Sequence, residues 1–367
     1  MKIYQSVVLT VTILGLLFFI GCSESPSAQA PSAEATKTAQ TAPAPTPAAA
    51  ETPAEEYPEF YEVRIPDIYD PNTVFLPYIA AKKGFYEAEG IKPVFTGVIG
   101  ASQLVAAVVS KDCDIGYLHV NRTINGVAAG APIKAVVADT ETSEDFPHME
   151  YLVLDESPLK EPLDMVGKKV GIITLGGCNE YTPYGILTKR GIEDPRDSFE
   201  IIVIPAGNEE VILRSGEVDV VGFHGHPLGV FNNGGVRIFF DDYQVWGKDG
   251  GATPWYFHED FIKEKPEAVR RFVAAHIKTG KWINENREEA RKIQSEWADV
   301  PVEKVGIMKF TDDGIITKKS VQIWIDTLKS YGELTVDLLA TDIYTNEFNP
   351  NSRDYRFVKA ANGSARQ

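Results

Sequence analysis

Lys169-Val-Gly-Ile-Ile-Thr-Leu-Gly-Gly-Cys-Asn-Glu-Tyr-Thr-Pro-Tyr184 is the stretch whose reading decides the fold. Val170, Ile172 and Ile173 are branched apolar residues that suit a pleated strand. Gly176-Gly177 breaks that strand. Asn179 and Glu180 then suit the cap and first turn of a helix. A helix that begins after a strand and a glycine pair presents unpaired backbone N–H groups, an anion-binding arrangement. The same pattern is also an ordinary strand-to-helix turn of an α/β fold. Which reading holds depends on whether the turn faces a ligand.

The alternation extends on both sides. Upstream, residues 61–66 read as a strand, 73–83 as a helix closed by Gly84, and 92–96 as a strand. Residues 97–100 form a glycine-rich loop before a helix at 102–110, then come strands at 114–118 and 133–138 with a helix between. The pattern restarts with strands at 151–154, 169–174, 200–204, 218–223 and 236–240. Strands alternating with helices predict largely parallel sheets, and two such units in tandem predict two lobes. From Glu259 onward the spacing is helical: Lys265-Pro266 suits a helix start, and Val269, Phe272, Val273, His276 and Ile277 share one face.

The N-terminus reads differently. Lys2 is followed by an apolar run, 7–20, too short for a comfortable membrane span and ending in Gly21-Cys22. This resembles a lipoprotein signal, with residues 1–22 as signal and Cys22 as the lipidated position. Residues 23–58 are rich in Ala, Pro, Thr, Ser and Glu and have almost no large apolar residues, so they read as a disordered tether. The net charge of −16 argues against nucleic acid and against an acidic membrane surface as partners. Cys113 and Cys178 are the remaining cysteines; their spacing implies no disulfide.

Several phrases in this order resemble one family. Pro77-Tyr-Ile-Ala-Ala-Lys-Lys-Gly-Phe-Tyr-Glu-Ala-Glu-Gly-Ile91 is similar to the opening of the substrate-binding proteins of ABC importers for nitrate, sulfonates, taurine and thiamine pyrimidine precursors. Residues 104–116, 211–219, 265–272 and 281–286 resemble later phrases of the same family. The resemblance implies an α/β two-lobe periplasmic-binding-protein clamp, type II-like, with a helical C-terminal extension. It implies lobe one at 59–147 plus 246–355 and lobe two at 148–245. The ligand would lie between the lobes, at the carboxyl ends of the strands.

That placement brings candidate ligand contacts from several loops: Tyr69 and Asn72; Gly100, Ala101 and Ser102; His119 and Asn121; Gly177, Cys178, Asn179 and Glu180; His224 and His226; Thr253 and Trp255. Two helix N-termini would favour an oxyanion, whereas Glu180, if it pointed inward, would favour an amine or aminopyrimidine. His224 and His226, with His119, Cys178 and Glu180, offer N, S and O donors of the kind transition metals take. A His pair two apart straddles a strand end, however, so polar contacts to the ligand are expected rather than a metal. No cofactor is expected, and no phosphate loop, zinc-protease helix or nucleophile elbow is present.

The expected protein is therefore an exported, lipid-anchored monomer that binds a small polar ligand for membrane permease subunits. An enzyme on the same fold and a periplasmic sensor domain are the alternatives.

Overall fold

The computed structural model describes residues 60–67, 70 and 73–357, all within the unit Ala54–Gln367. The expected signal, the tether, Cys22, Tyr69 and Asn72 lie outside the described residues. No described helix is long and apolar enough to cross a membrane.

In the first lobe β1 (Tyr61–Asp67), α1 (Leu76–Lys82), α2 (Phe85–Ala88) and β2 (Ile91–Val98) form a parallel pair with helices between. α3 (Leu104–Val109), β3 (Ile115–Tyr117), α4 (Val120–Ala128) and β4 (Ile133–Glu141) follow. The chain then crosses to β5 (Met149–Leu154), β6 (Lys169–Ile172), α5 (Cys178–Lys189) and β7 (Glu200–Val203). α6 (Glu209–Ser215), β8 (Val220–His224), α7 (Leu228–Asn232) and β9 (Val236–Asp241) complete the second sheet. It returns through α8 (Asp242–Trp246) into β10 (Thr253–His258), then α9 (Glu259–Glu264), α10 (Pro266–Glu285) and α11 (Arg287–Ala298). β11 (Lys309–Phe310), α12 (Lys318–Ser330) and α13 (Ala340–Ile343) end the described fold.

The first lobe holds the β1–β2 pair and a sheet of order β11-β4-β10-β3; the second holds β7-β6-β8-β5-β9. The β1–β2 pair is parallel, the four-stranded sheet pairs only antiparallel and the five-stranded sheet is mixed, which corrects the largely parallel expectation. β5 is antiparallel to β8 and β9, and β10 is antiparallel to β3 and β4. Each follows a strand of the other lobe's sheet and not one of its own, so no βαβ unit forces it into the parallel direction.

α10 starts with Pro266 in its first turn and buries Val269, Phe272, Val273, His276 and Ile283 on one stripe. The stripe closes the core beneath β4, β10 and α1. A second core is shared between the lobes. It runs from Val120 and Ile124 of α4, through Trp324 and Leu328 of α12, to Tyr181 and Tyr184 of α5 and Val170 of β6. The lobes are thus joined by packed side chains as well as by the two crossing segments.

Candidate ligand-binding site

The β6-to-α5 turn is fixed from several sides. Gly176 takes φ +72°, a left-handed conformation that glycine adopts without strain. Its N–H donates to Glu180 Oε2 at 2.6 Å, and its carbonyl accepts from Asn121 Nδ2 at 2.9 Å. Asn179 Oδ1 accepts from the Ile173 N–H at 2.7 Å. Pro183 inside α5 has no N–H for the Asn179 carbonyl; the Tyr151 hydroxyl donates to that carbonyl instead, at 2.5 Å. Arg122 of α4 reaches over the turn, donating to Thr174 Oγ1 at 2.8 Å and to the Leu175 carbonyl. A Cβ on Gly177 would sit 3.3 Å from Arg122 Nε, so glycine there lets the guanidinium lie close.

A cavity of about 700 Å³, counted with its open mouth, lies beside this turn. Phe75, His119, Arg122 and Thr253 line it from one lobe, and Thr174, Gly177, Cys178 and His224 from the other, with His148 at the crossing. Val74, Tyr117, Leu118 and Met308 make much of its wall apolar. A second cavity, about 1000 Å³ with its open solvent, adjoins it at Asp70, Thr73 and His224 and is lined further by Glu209, Phe223 and Lys304.

Of the residues proposed from sequence, His119, Gly177, Cys178, His224 and Thr253 line the first cavity. Gly100, Ala101 and Ser102 do not. α3 begins only at Leu104, and Ala101 packs with Leu104 and Leu118. Asn121, Asn179 and Glu180 are engaged in the turn just described and do not line the cavity. His226 turns away to Glu150, with Nδ1 3.0 Å from Oε1, and stacks on Phe231 at 4.6 Å. Trp255 is fully buried behind the wall, stacked on Tyr117 at 4.7 Å. Cys113 and Cys178 are both free and buried.

Arg122 and His148 were missed by sequence reasoning. Arg122 sits beside Asn121 in the first turn after β3, the position at which an α/β sheet offers side chains to a ligand. His148 follows Pro147 on the crossing segment, where no strand-end rule points. It stands 3.4 Å from Cys178 Sγ through Nε2, and His224 Nε2 stands 3.5 Å from the same sulfur. His119 directs Nδ1 to Asn121 Oδ1 at 3.0 Å and Nε2 to the Gly250 carbonyl at 2.8 Å.

Burial sets the charge state of this cluster. It lowers His119 and His224 to about 4, against the raising effect of hydrogen bonds at His119 and with a further lowering from Arg122 at His224. Burial, then the neighbouring His119 and His224, hold His148 well below the ordinary imidazole range. Burial, then the charge of Asp242, push the Cys178 thiol up to about 12. At neutral pH the cluster is three uncharged imidazoles and a protonated thiol.

Glu209 is the opposite case. Burial, then the negative charge of Asp70 across the second cavity, raise its carboxyl to about 7. Its folded value lies above its ordinary 4.5. The folded protein therefore keeps a proton that the unfolded chain has released, and stability falls as pH rises from about 4.5 through about 7. His119 and His224, lowered when folded, contribute stability present above about 6.5 and lost as pH falls toward about 4. Glu209→Gln is expected to reduce the first slope only, since buried Asp242, also raised to about 7, keeps its share. Urea unfolding of both proteins near pH 5 and near pH 8 checks this: the variant gains on the wild type at the higher pH.

The NMT1/THI5-like family model matches residues 72–290, more than half of the chain. The chain belongs to the NMT1/THI5-like family. The riboflavin-binding protein RibY of Chloroflexus aurantiacus is 24% identical over 329 residues, covering 80% of this chain and 87% of that protein. Among solved structures, the alkanesulfonate-binding protein SsuA from Xanthomonas axonopodis pv. citri bound to MOPS superposes with a TM-score of 0.63. The two are 15% identical over 79% of this chain and 99% of that one. The periplasmic nitrate-binding protein NrtA from Synechocystis PCC 6803 gives a TM-score of 0.61 at 18% identity, covering 80% and 88%. At these identities the two structures establish the fold: this NMT1/THI5-like chain has the periplasmic-binding-protein architecture that the phrases from Pro77 onward resembled. All three relatives are named as binding proteins.

Proposed function

We propose that this NMT1/THI5-like protein is the exported solute-binding component of an ABC importer. It binds a small polar ligand between its lobes and presents it to permease subunits. The observation that carries this reading is the cavity beside the β6-to-α5 turn, walled from both lobes, with Arg122 and His119 on one side and Cys178 and His224 on the other. A ligand touching both walls stabilises the closed arrangement, because its contacts exist only when the lobes meet. The guanidinium of Arg122 and the apolar wall at Val74, Phe75, Leu118 and Met308 suit a small anion with an apolar or aromatic portion. The names of its relatives point to sulfonates, nitrate and flavin as classes to test.

The first lobe is assigned 59–147 plus 246–355 and the second 148–245. Export with a lipid at Cys22, a spacing tether at 23–58 and a monomeric state complete the reading. An enzyme built on Cys178 is disfavoured, since a thiol raised to about 12 carries little of the thiolate that attacks.

Calorimetric titration with taurine, alkanesulfonates, nitrate, bicarbonate, aromatic carboxylates, aminopyrimidines and riboflavin tests the ligand range. At least one is expected to bind at one per chain; silence across the panel rejects that range. Lipidation is tested by feeding labelled palmitate to producing cells. The label is expected on the wild type and absent from Cys22→Ala; label on both removes the anchor from the account.

A further inference from the structure

We propose that the base of this cleft binds one borderline-to-soft transition-metal ion, Zn²⁺ or Cu⁺, through Cys178, His148 and His224, with His119 in reach as a further donor. The inference rests on reading the cleft as the ligand site of a solute-binding protein.

Cys178 Sγ lies 3.4 Å from His148 Nε2 and 3.5 Å from His224 Nε2. A tetrahedral ion with metal–sulfur near 2.3 Å and metal–nitrogen near 2.0–2.1 Å sets its sulfur and nitrogen ligands about 3.5 Å apart. The two sulfur–nitrogen distances found match that spacing. His119, His148 and Cys178 each offer a donor atom, and these lie within 4.8 Å of one another. All four side chains border the same open cavity, so an ion can enter, and a small co-ligand can complete its shell. The donors come from separate elements. His119 caps α4, His148 precedes β5, Cys178 opens α5 and His224 ends β8. An ion here would tie the walls of the cleft together.

The donor chemistry selects the ion. One sulfur and two or three imidazoles suit Zn²⁺ or Cu⁺ and not Mg²⁺ or Ca²⁺, which take oxygen. The cluster differs from the donor set weighed, and set aside, from sequence: His148 enters, while Glu180 and His226 are engaged elsewhere. His119 faces acceptors through both ring nitrogens and joins only by giving one up. A hydrogen-bond chain through the thiol is the competing account. It requires one imidazole to accept from the sulfur and the other to donate to it. Arg122 opposes a cation but favours a thiolate beside it. Binding replaces the S–H bond of Cys178 by a sulfur–metal bond and releases one proton per ion.

The test uses the purified protein after treatment with a chelator. Zn²⁺ is titrated calorimetrically, Cu⁺ anaerobically against a chromophoric competitor, and Co²⁺ spectroscopically as a reporter of sulfur ligation. The expected result is one ion per chain, one proton released, and a thiolate-to-cobalt charge-transfer band. Cys178→Ser abolishes the band and weakens binding by roughly 10–100-fold or more, since even outer-shell partners are worth that much. His148→Ala weakens binding similarly and covers the case in which Cys178→Ser does not fold. Cys113→Ala keeps the band. No stoichiometric binding, or a band that survives Cys178→Ser, overturns the proposal. The same preparation is titrated with the organic panel. If a panel compound binds and no metal does, the metal site falls and the solute-binding reading stands; if nothing binds, the metal site and the stated ligand range both fall.

Discussion

Trp324→Ala is expected to lower the unfolding free energy by about 3–5 kcal/mol, the range for emptying a buried indole site. Trp324 is fully buried in α12. Its ring meets Trp246 at 4.4 Å, the edge of His119 at 4.4 Å and Tyr181 at 6.1 Å, so it touches both lobes and the crossing segment between them. Its Nε1 donates at 2.9 Å to the Gly250 carbonyl, which also faces His119 Nε2. Alanine there leaves a cavity in the core that the lobes share and removes one of two donors from that carbonyl. Trp324→Phe, which keeps a ring but loses the N–H, is expected to cost about 1–2 kcal/mol. Urea denaturation of the three proteins checks the order. A loss below about 1 kcal/mol for Trp324→Ala would mean that the shared core is not what joins the lobes.

Gly225→Ala is expected to cost about 3 kcal/mol and to weaken ligand binding as well. Gly225 has φ +69°, where an L side chain costs roughly 1–2 kcal/mol. An added Cβ would also stand 2.6 Å from the Ile307 carbonyl oxygen and 2.7 Å from Met308 Cγ. The first of these is backbone and cannot rotate away. Ile307 must move, and with it the paired bonds His226 N–H to Ile307 O at 2.8 Å and Ile307 N–H to His226 O at 3.0 Å. Those bonds hold the segment before β11 against the end of β8. Met308 and His224 line the cavity on either side of this clasp, so the disturbance reaches the ligand. Gly191→Ala is the matched control: φ is +97°, but nothing lies within 4 Å of the added Cβ. It should show the conformational cost alone, with unchanged ligand affinity.

Much of the fold was legible because apolar period and glycine placement are local. Residues 169–184 read as strand, turn and helix, and β6 and α5 fall there. The amphipathic stripe from Val269 located α10. Strand direction was not legible. The apolar runs that became β5 and β10 say that a strand is buried but not which way it runs; that depends on the crossing segments. The site was legible only in part. Strand-end reasoning reached His119, Cys178, His224 and Thr253, which line the cavity. It also selected Asn121, Asn179 and Glu180 from the same loops, because it cannot separate residues that hold a turn from residues that the turn presents. Glu180 shows why. As a first-turn carboxylate it was read as favoured by the helix dipole or aimed at a ligand, and it bends back to the Gly176 N–H instead. Gly100, Ala101 and Ser102 also follow a strand through a glycine-rich loop, but the short α3 and the packing of Ala101 take that loop out of the cavity wall. His148 needed three-dimensional information, since its partner Cys178 is thirty residues away in sequence.

The central claim is that one small ligand is held in the cleft by both lobes, and Arg122 reports on it most directly. It projects from α4 into the cavity and donates across the cleft to Thr174 and Leu175. Calorimetric titration of wild type and Arg122→Ala, against whichever panel compound or ion binds the wild type, is the deciding measurement. For an anionic ligand the account predicts one equivalent bound per chain and a loss of roughly tenfold or more in affinity without Arg122, the worth of a hydrogen bond to a charged group. Affinity unchanged in Arg122→Ala for such a ligand would contradict it, because the occupant would then lie outside this cleft.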